Sequence, residues 1–264
     1  MKIHLKHDAQ LLDTGTKATL LGSYAAADKR LILLDYDGTL IPFASHPSGA
    51  LPGEALAILE QLTADARNDV FIISGRDSAT LQKWFGHLAL GLIAEHGAKV
   101  RKQGSWQEQI SGMPQDWKLP VKRLMEEYIP QCPHSFIEEK EYAIAWHYRN
   151  MPATALDAAK ELYRKLLACT AQGPVNVLDG HKVIEVRLKE ANKGAAIERV
   201  LGQAAYDFIL CVGDDITDED MFERLADQAE AFTIKIGNGA TAARYSLHTP
   251  YMVQSLLTEL GTHR

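Results

Sequence analysis

RLILLDYDGT, residues 30–39, decides the fold of this 264-residue chain. Leu31, Ile32, Leu33 and Leu34 run without interruption into Asp35, and Gly38 follows three positions later. A short apolar run closed by turn residues reads as a strand buried on both faces, as in the middle of a parallel sheet. Asp35 then stands at the strand's carboxyl end, where open α/β sheets bind ligands. Asp37 comes two residues on, and Gly38 lets the chain turn sharply beneath a ligand. An Asp-Gly pair after a strand is in itself only a turn; the rest of the chain gives it weight.

Outward from this strand, residues 41–51 carry Pro42, Ser45, Pro47, Ser48 and Gly49 and read as a loop. Pro52 opens a helix with Leu56, Leu59 and Leu62 at helical spacing. A second buried strand, 70–73, ends in Ser74-Gly75-Arg76, and Asp77 caps a helix over 78–85. A third, 92–94, ends in Glu95-His96-Gly97. This alternation predicts right-handed βαβ units and a parallel sheet. Residues 1–29 read as a lead-in with a helix over 16–26. Past Arg101 the texture changes. Residues 104–109 and 136–149 read as strands of alternating polarity, 117–128 and 153–169 as helices, and 175–187 as a hairpin around Asp179-Gly180. From Asn192 the alternation resumes: a helix to 201, strand 208–212, helix 218–227, strand 232–236 and a helix over 252–260. The fold class is α/β: a Rossmann-like core of residues 1–101 and 189–264, with helices on both sheet faces and an inserted α+β unit of residues 102–188.

Composition narrows the function. The chain is 46% hydrophobic and 23% charged, with a net charge of −6, which argues against nucleic acid or an anionic membrane as partner. No apolar run approaches the roughly 18 residues of a transmembrane helix, and the first residues lack a secretory apolar region. Cys132, Cys169 and Cys211 are odd in number and widely spaced. They predict reduced thiols, two of them buried, in a cytoplasmic protein without a zinc site.

Gly213-Asp214-Asp215-Ile216-Thr217-Asp218-Glu219-Asp220 follows the apolar run FILCV, so its first aspartates also stand at a strand's carboxyl end. Thr217 or Asp218 serves equally as a helix N-cap, but capping needs one residue and five acids lie in seven positions. Two like charges 4 Å apart repel by about 4 kcal/mol at an effective dielectric of 20. Where Asp214, Asp215 or Asp218 meets Asp35 and Asp37, a hard cation relieves that repulsion, and all-oxygen ligation suits Mg²⁺. Bound phosphate needs donors as well. Ser74 at a strand end and Lys193 in Asn192-Lys193-Gly194 are the candidates, although Asn192 is a plausible cap whatever Lys193 does. Arg76 is equally a surface partner of Asp77.

DYDGT, SGR, NKG and GDDITDE, in that order, resemble the four motifs of the haloacid dehalogenase-like phosphatases. The insertion between the second and third motifs lies where that superfamily carries a C2-type cap. The resemblance implies that Asp35 is the nucleophile, forming an aspartyl-phosphate. It implies that Asp37 protonates the leaving alcohol and then activates water. Ser74 and Lys193 would bind phosphate. Asp35, the Asp37 carbonyl and Asp214 would hold Mg²⁺, with Asp218 supporting and Asp215 beside them. An aspartate at position 37 favours hydrolysis over ion pumping, since the superfamily's ATPases carry threonine there.

Closer still, LDYDGTLIPF, EHGA, HYRNMP, KVIEV, NKG, GDDITDED and KIGNGATAA resemble the trehalose-6-phosphate phosphatases over about residues 31–260. This implies hydrolysis of trehalose 6-phosphate, a sugar phosphate as partner and an association with a trehalose-6-phosphate synthase. Arg76, Glu95, His96, Arg149, Lys182 and Glu185 are the candidate substrate residues, because charged side chains bond vicinal hydroxyls strongly. Lys182 and Glu185 equally form a cross-strand ion pair, Arg149 equally lies on a solvent face, and His96 equally steadies a turn. The alternatives are a sucrose-phosphate phosphatase, a phosphomannomutase, and a silent domain that binds trehalose 6-phosphate to regulate a synthase. A silent domain is expected to lose an aspartate or the lysine, and this chain keeps them all.

Overall fold

The computed structural model describes residues 7–44, 46, 48, 51–102 and 104–262. The loop residues Ser45, Pro47 and Gly49 lie outside the described residues. The chain divides into two compact units, Met1–Gln109 with Asn192–Arg264, and Ile110–Ala191.

In the first unit the elements run β1 (His7–Asp8), β2 (Gln10–Leu11), α1 (Thr14–Ala26), β3 (Arg30–Asp35), α2 (Ala55–Thr63), β4 (Asn68–Ile73), α3 (Ser78–Phe85), β5 (Gly91–Ala94), β6 (Lys99–Arg101) and β7 (Gln107–Glu108). The second unit holds α4 (Lys118–Glu126), β8 (Phe136–Glu139), β9 (Ala143–His147), α5 (Leu156–Thr170), β10 (Val175–Gly180) and β11 (Val183–Leu188). The first unit then resumes with α6 (Lys193–Leu201), β12 (Phe208–Gly213), α7 (Ile216–Leu225), β13 (Ala231–Ile236), β14 (Ala240–Thr241), β15 (Tyr245–Leu247) and α8 (Pro250–Thr262).

The main sheet has the order β2-β15-β13-β12-β3-β4-β5-β6-β7, parallel from β2 to β5. β3 lies in the middle and all six of its residues are buried. Strand side chains alternate between faces, so Ile32 and Leu34 join a cluster with Leu20, Leu59, Phe85 and Leu257 from α1, α2, α3 and α8. Leu31 and Leu33 join another with Ile197 and Val200 of α6 and Met221 and Phe222 of α7. Each fully buried leucine contributes about 1.5–3 kcal/mol, which is why the run carries no polar residue before Asp35. The leading residues do more than the sequence suggests: β2 adds a parallel strand beside β15. Among the described residues no helix is long and apolar enough to cross a membrane. Cys132 and Cys211 are buried, Cys169 is exposed, and all three are free thiols.

The inserted unit begins later than residue 102. β6 turns back antiparallel on β5, β7 adds to it, and the Gln109 N–H bonds the Ala98 carbonyl, so the chain stays in the first sheet to Gln109. The unit ends at Ala191 rather than 188, because Lys189 and Ala191 bond back to Pro174 and Leu188. Its antiparallel sheet has the order β10-β11-β9-β8. α4 packs against β8 and β9, and α5 against β10. Residues 136–149 form two strands rather than one, since Lys140-Glu141 turns the chain and Lys140 N–H bonds the Ala143 carbonyl. The 175–188 hairpin turns at His181-Lys182, with Lys182 at φ 64°, instead of at Asp179-Gly180. The observed register sets Val175 beside Leu188 and Val177 beside Val186. A turn on Asp179-Gly180 would have set Val177 against Lys182.

Candidate active site

The sheet's carboxyl edge gathers the motif residues of the first unit. Asp35 ends β3, Ser74 follows β4, and Asp214 follows β12, the strand paired with β3. Gly38, at φ 87°, is required here: a Cβ would overlap the Asp214 carboxylate and the Phe43 ring. Asn192 caps α6 by accepting from the Ala195 N–H at 2.9 Å, and this sets Lys193 on the first turn. The buried Lys193 ammonium donates to Asp35 Oδ1 at 2.6 Å and to Asp218 Oδ1 at 2.7 Å. Asp218 Oδ2 accepts the N–H groups of Asp214 and Asp215 at 2.9 and 3.0 Å, tying the aspartate loop to α7. Thr39 donates to Asp214 Oδ1 at 3.0 Å.

Asp35, Asp214 and Asp218 offer oxygens within 4.8 Å of one another. The Lys193 ammonium pairs with two of these three carboxylates, and the electrostatics follow. Burial raises the pKa of Asp35, opposed by Lys193. Burial, then the charges of Asp35 and Asp218, raises that of Asp214. Burial disfavours the Lys193 ammonium, but Asp218 and Asp35 overcome it and raise its pKa. This is a negatively overcharged pocket of oxygen donors.

Asp215 stands apart from this trio. Its carboxylate caps α7, accepting from the Ile216 N–H at 2.7 Å in a reciprocal capping box with Asp218. Asp37 turns its carboxylate to Arg76, whose Nε and a terminal nitrogen donate at 2.7 and 2.6 Å. Arg76 is thus paired with Asp37 rather than with its neighbour Asp77, which caps α3. Ser74 Oγ accepts the Arg76 N–H at 3.2 Å. Glu95 and His96 are buried in a tight turn after β5, bonded through their N–H groups to the Arg76 and Ser74 carbonyls.

Two further residues belong to this edge. Lys235 donates to the Asp214 carbonyl at 2.5 Å and lies 3.9 Å from Glu219, which accepts the Ala242 N–H. Their signal is a lysine within the mostly apolar strand AFTIKI and a buried glutamate inside the acidic run.

Arg149, Lys182 and Glu185 all lie in the second unit. Arg149 donates to the His181 carbonyl at 2.9 Å, and the Lys182 ammonium stands 5.8 Å from the centre of the Tyr148 ring, so these two share the hairpin end. Glu185 sits farther along β11, buried, 3.1 Å from Lys140 Nζ. Lys140 also lies 3.9 Å from Glu138, which bonds His147 at 2.8 Å. Glu138 and Lys140 escape a reading of the sequence, because the alternation there runs on as if through a single strand.

A doubly covered parallel sheet with an acidic carboxyl edge and an inserted α+β unit defines the haloacid dehalogenase-like fold class. The trehalose-phosphatase family profile matches residues 33–251, and the chain belongs to that family. An alpha,alpha-trehalose-phosphate synthase B of Dictyostelium discoideum is 41% identical over 247 residues, covering 90% of this chain and 31% of the relative. A bifunctional trehalose-6-phosphate synthase/phosphatase of Thermoproteus tenax is 39% identical, covering 91% and 33%. The structure of the C. albicans trehalose-6-phosphate phosphatase C-terminal domain superposes with a TM-score of 0.89 at 32% identity, covering 97% of this chain and 99% of that one. The chain spans about a third of the length of these two sequence relatives.

Proposed function

We propose that the chain is a Mg²⁺-dependent phosphatase that hydrolyses trehalose 6-phosphate to trehalose and phosphate. The observation that carries this is Asp35, held by Lys193 beside Asp214 and Asp218, with Asp37 two residues away. Asp35 attacks phosphorus; the phosphorus–oxygen bond to the sugar breaks, and Asp37 gives its proton to the departing oxygen. Water then attacks the aspartyl-phosphate, Asp37 takes a proton from it, and phosphate leaves with Asp35 restored. Ser74 and Lys193 are the proposed phosphate donors.

The donor set fits a hard divalent cation, because three carboxylates cluster and the Lys193 ammonium pairs with only two of them, Asp35 and Asp218. Asp35, Asp214 and the Asp37 carbonyl would hold it, with Asp218 behind them. Such an ion supplies charge neutralisation at the transferring phosphoryl group. In the second unit, Arg149, Lys182 and Glu185 are proposed to bond sugar hydroxyls. The two sequence relatives, each named as a synthase, support a trehalose-6-phosphate synthase as partner. The free thiols fit action in the cytoplasm.

The test is phosphate release from trehalose 6-phosphate, sucrose 6-phosphate, glucose 6-phosphate and mannose 6-phosphate, with Mg²⁺ and with EDTA. Metal-dependent preference for trehalose 6-phosphate is expected. Equal release from all four would discard the substrate assignment. Tight binding of trehalose 6-phosphate without release would favour the regulatory alternative.

A further inference from the structure

Three consecutive residues after β5 adopt left-handed backbone: Glu95 at φ 46°, His96 at 56° and Gly97 at 107°. For the two with side chains this backbone is strained and persists only where the surroundings impose it. The surroundings are the catalytic loops. The Glu95 and His96 N–H groups each bond a carbonyl of the 74–76 loop, those of Arg76 and Ser74, at 3.0 Å. The His96 ring lies so close over Gly75 that a Cβ there would overlap it. Gly97 backs onto the Asn192 carbonyl and Ala196, at the start of the helix that carries Lys193. The turn is therefore a wedge between the loop bearing Arg76 and the helix bearing Lys193.

Arg76 passes this fixed geometry on. Its guanidinium lies 4.7 Å from the Trp84 ring centre and 5.4 Å from that of Tyr36, and forks onto both carboxylate oxygens of Asp37. A planar fork sets orientation as well as distance. A lysine would hold the same charge without the orientation.

We propose that Arg76 and the Glu95–Gly97 turn are a positioning device for Asp37: the turn fixes Arg76, and Arg76 aims the carboxyl group that exchanges protons with the leaving oxygen and the attacking water. Arg76 and His96 then act through Asp37 and not as sugar ligands. This rests on the proton-transfer role proposed for Asp37.

The test exploits the leaving group. Breaking the ester bond of an alkyl phosphate requires a proton at the departing oxygen, whereas p-nitrophenolate departs without one. Arg76→Lys and His96→Gly are compared with wild type by kcat/KM on the preferred alkyl phosphate and on p-nitrophenyl phosphate. Glycine at 96 accepts the left-handed backbone and removes only the ring. Expected are losses of about 10²-fold or more on the alkyl phosphate and about tenfold or less on p-nitrophenyl phosphate. Equal losses on both substrates would make the residues phosphate ligands or fold supports and overturn the proposal, as would no loss on either. Should His96→Gly melt at assay temperature, Arg76→Lys, altered only at the end of its side chain, decides alone. If wild type releases phosphate from some other alkyl phosphate and not from trehalose 6-phosphate, the substrate assignment falls while the ratio still tests the positioning.

Discussion

The carboxyl edge of the first unit's sheet and the sheet of the second unit carry their charge in opposite ways. At the edge, Asp35, Asp214, Asp218 and Lys193 sit at strand ends or in a helix's first turn, buried or half-buried, with the three carboxylates within 4.8 Å of one another and Lys193 bonded to two of them. In the second sheet, charge lies along strand middles. Glu138, Ala145 and Glu185 are cross-strand neighbours, flanked in register by His147 and Val183 on one side and Ala143 and Arg187 on the other. Strand ends converge a few groups on one point, which suits bond breaking. A pleated surface spreads donors and acceptors at regular spacing over small residues, which suits reading many hydroxyls.

This contrast breaks first at Asp35. Asp35→Asn is expected to lose turnover on every phosphate ester by about 10⁴-fold or more. Melting temperature should hold or rise, because one of three repelling carboxylates is gone; comparable residual activity on any ester would make Asp35 a mere ligand. Glu185→Ala sharpens the other side. Removing a charged hydrogen-bond partner of hydroxyls is expected to lower kcat/KM for trehalose 6-phosphate roughly 10- to 100-fold. Activity on p-nitrophenyl phosphate should change far less, and an equal drop on both would take Glu185 out of sugar recognition.

The smallest effect lies away from both regions. Asp65 is lowered to about pKa 2, chiefly by its bond to Arg67 and also by the buried Arg30. A depressed carboxylate contributes stability that is present above its unfolded pKa, near 4, and is lost as pH falls through about 2. Arg67→Ala should therefore lower the melting temperature slightly at pH 7, and thermal melts should show that deficit fading below pH 4.

The same contrast explains what is legible in the sequence. Strand-end motifs are contiguous, so an apolar run ending in DYDGT or GDD is enough to locate Asp35 and Asp214. Arg76 is harder, since SGR shows a cation but not that the chain folds it onto Asp37, 39 residues earlier. Lys235 and Glu219 act on the Asp214 loop from a neighbouring strand and helix, a pairing set by tertiary order alone. In the second unit Lys140 is hidden because the turn it begins has the alternation of a strand. The hairpin register there is decided by valine and leucine pairing over a favourable Asp-Gly turn.

In the proposed mechanism Asp35 carries the phosphoryl group between sugar and water. Rapid acid quench during turnover of trehalose 6-phosphate, followed by peptide mass mapping, tests it most directly. A phosphoryl group on the peptide containing Asp35, absent from Asp35→Asn, is the expected result. Phosphate release at full rate with no aspartate ever labelled would contradict it and point to direct attack by water.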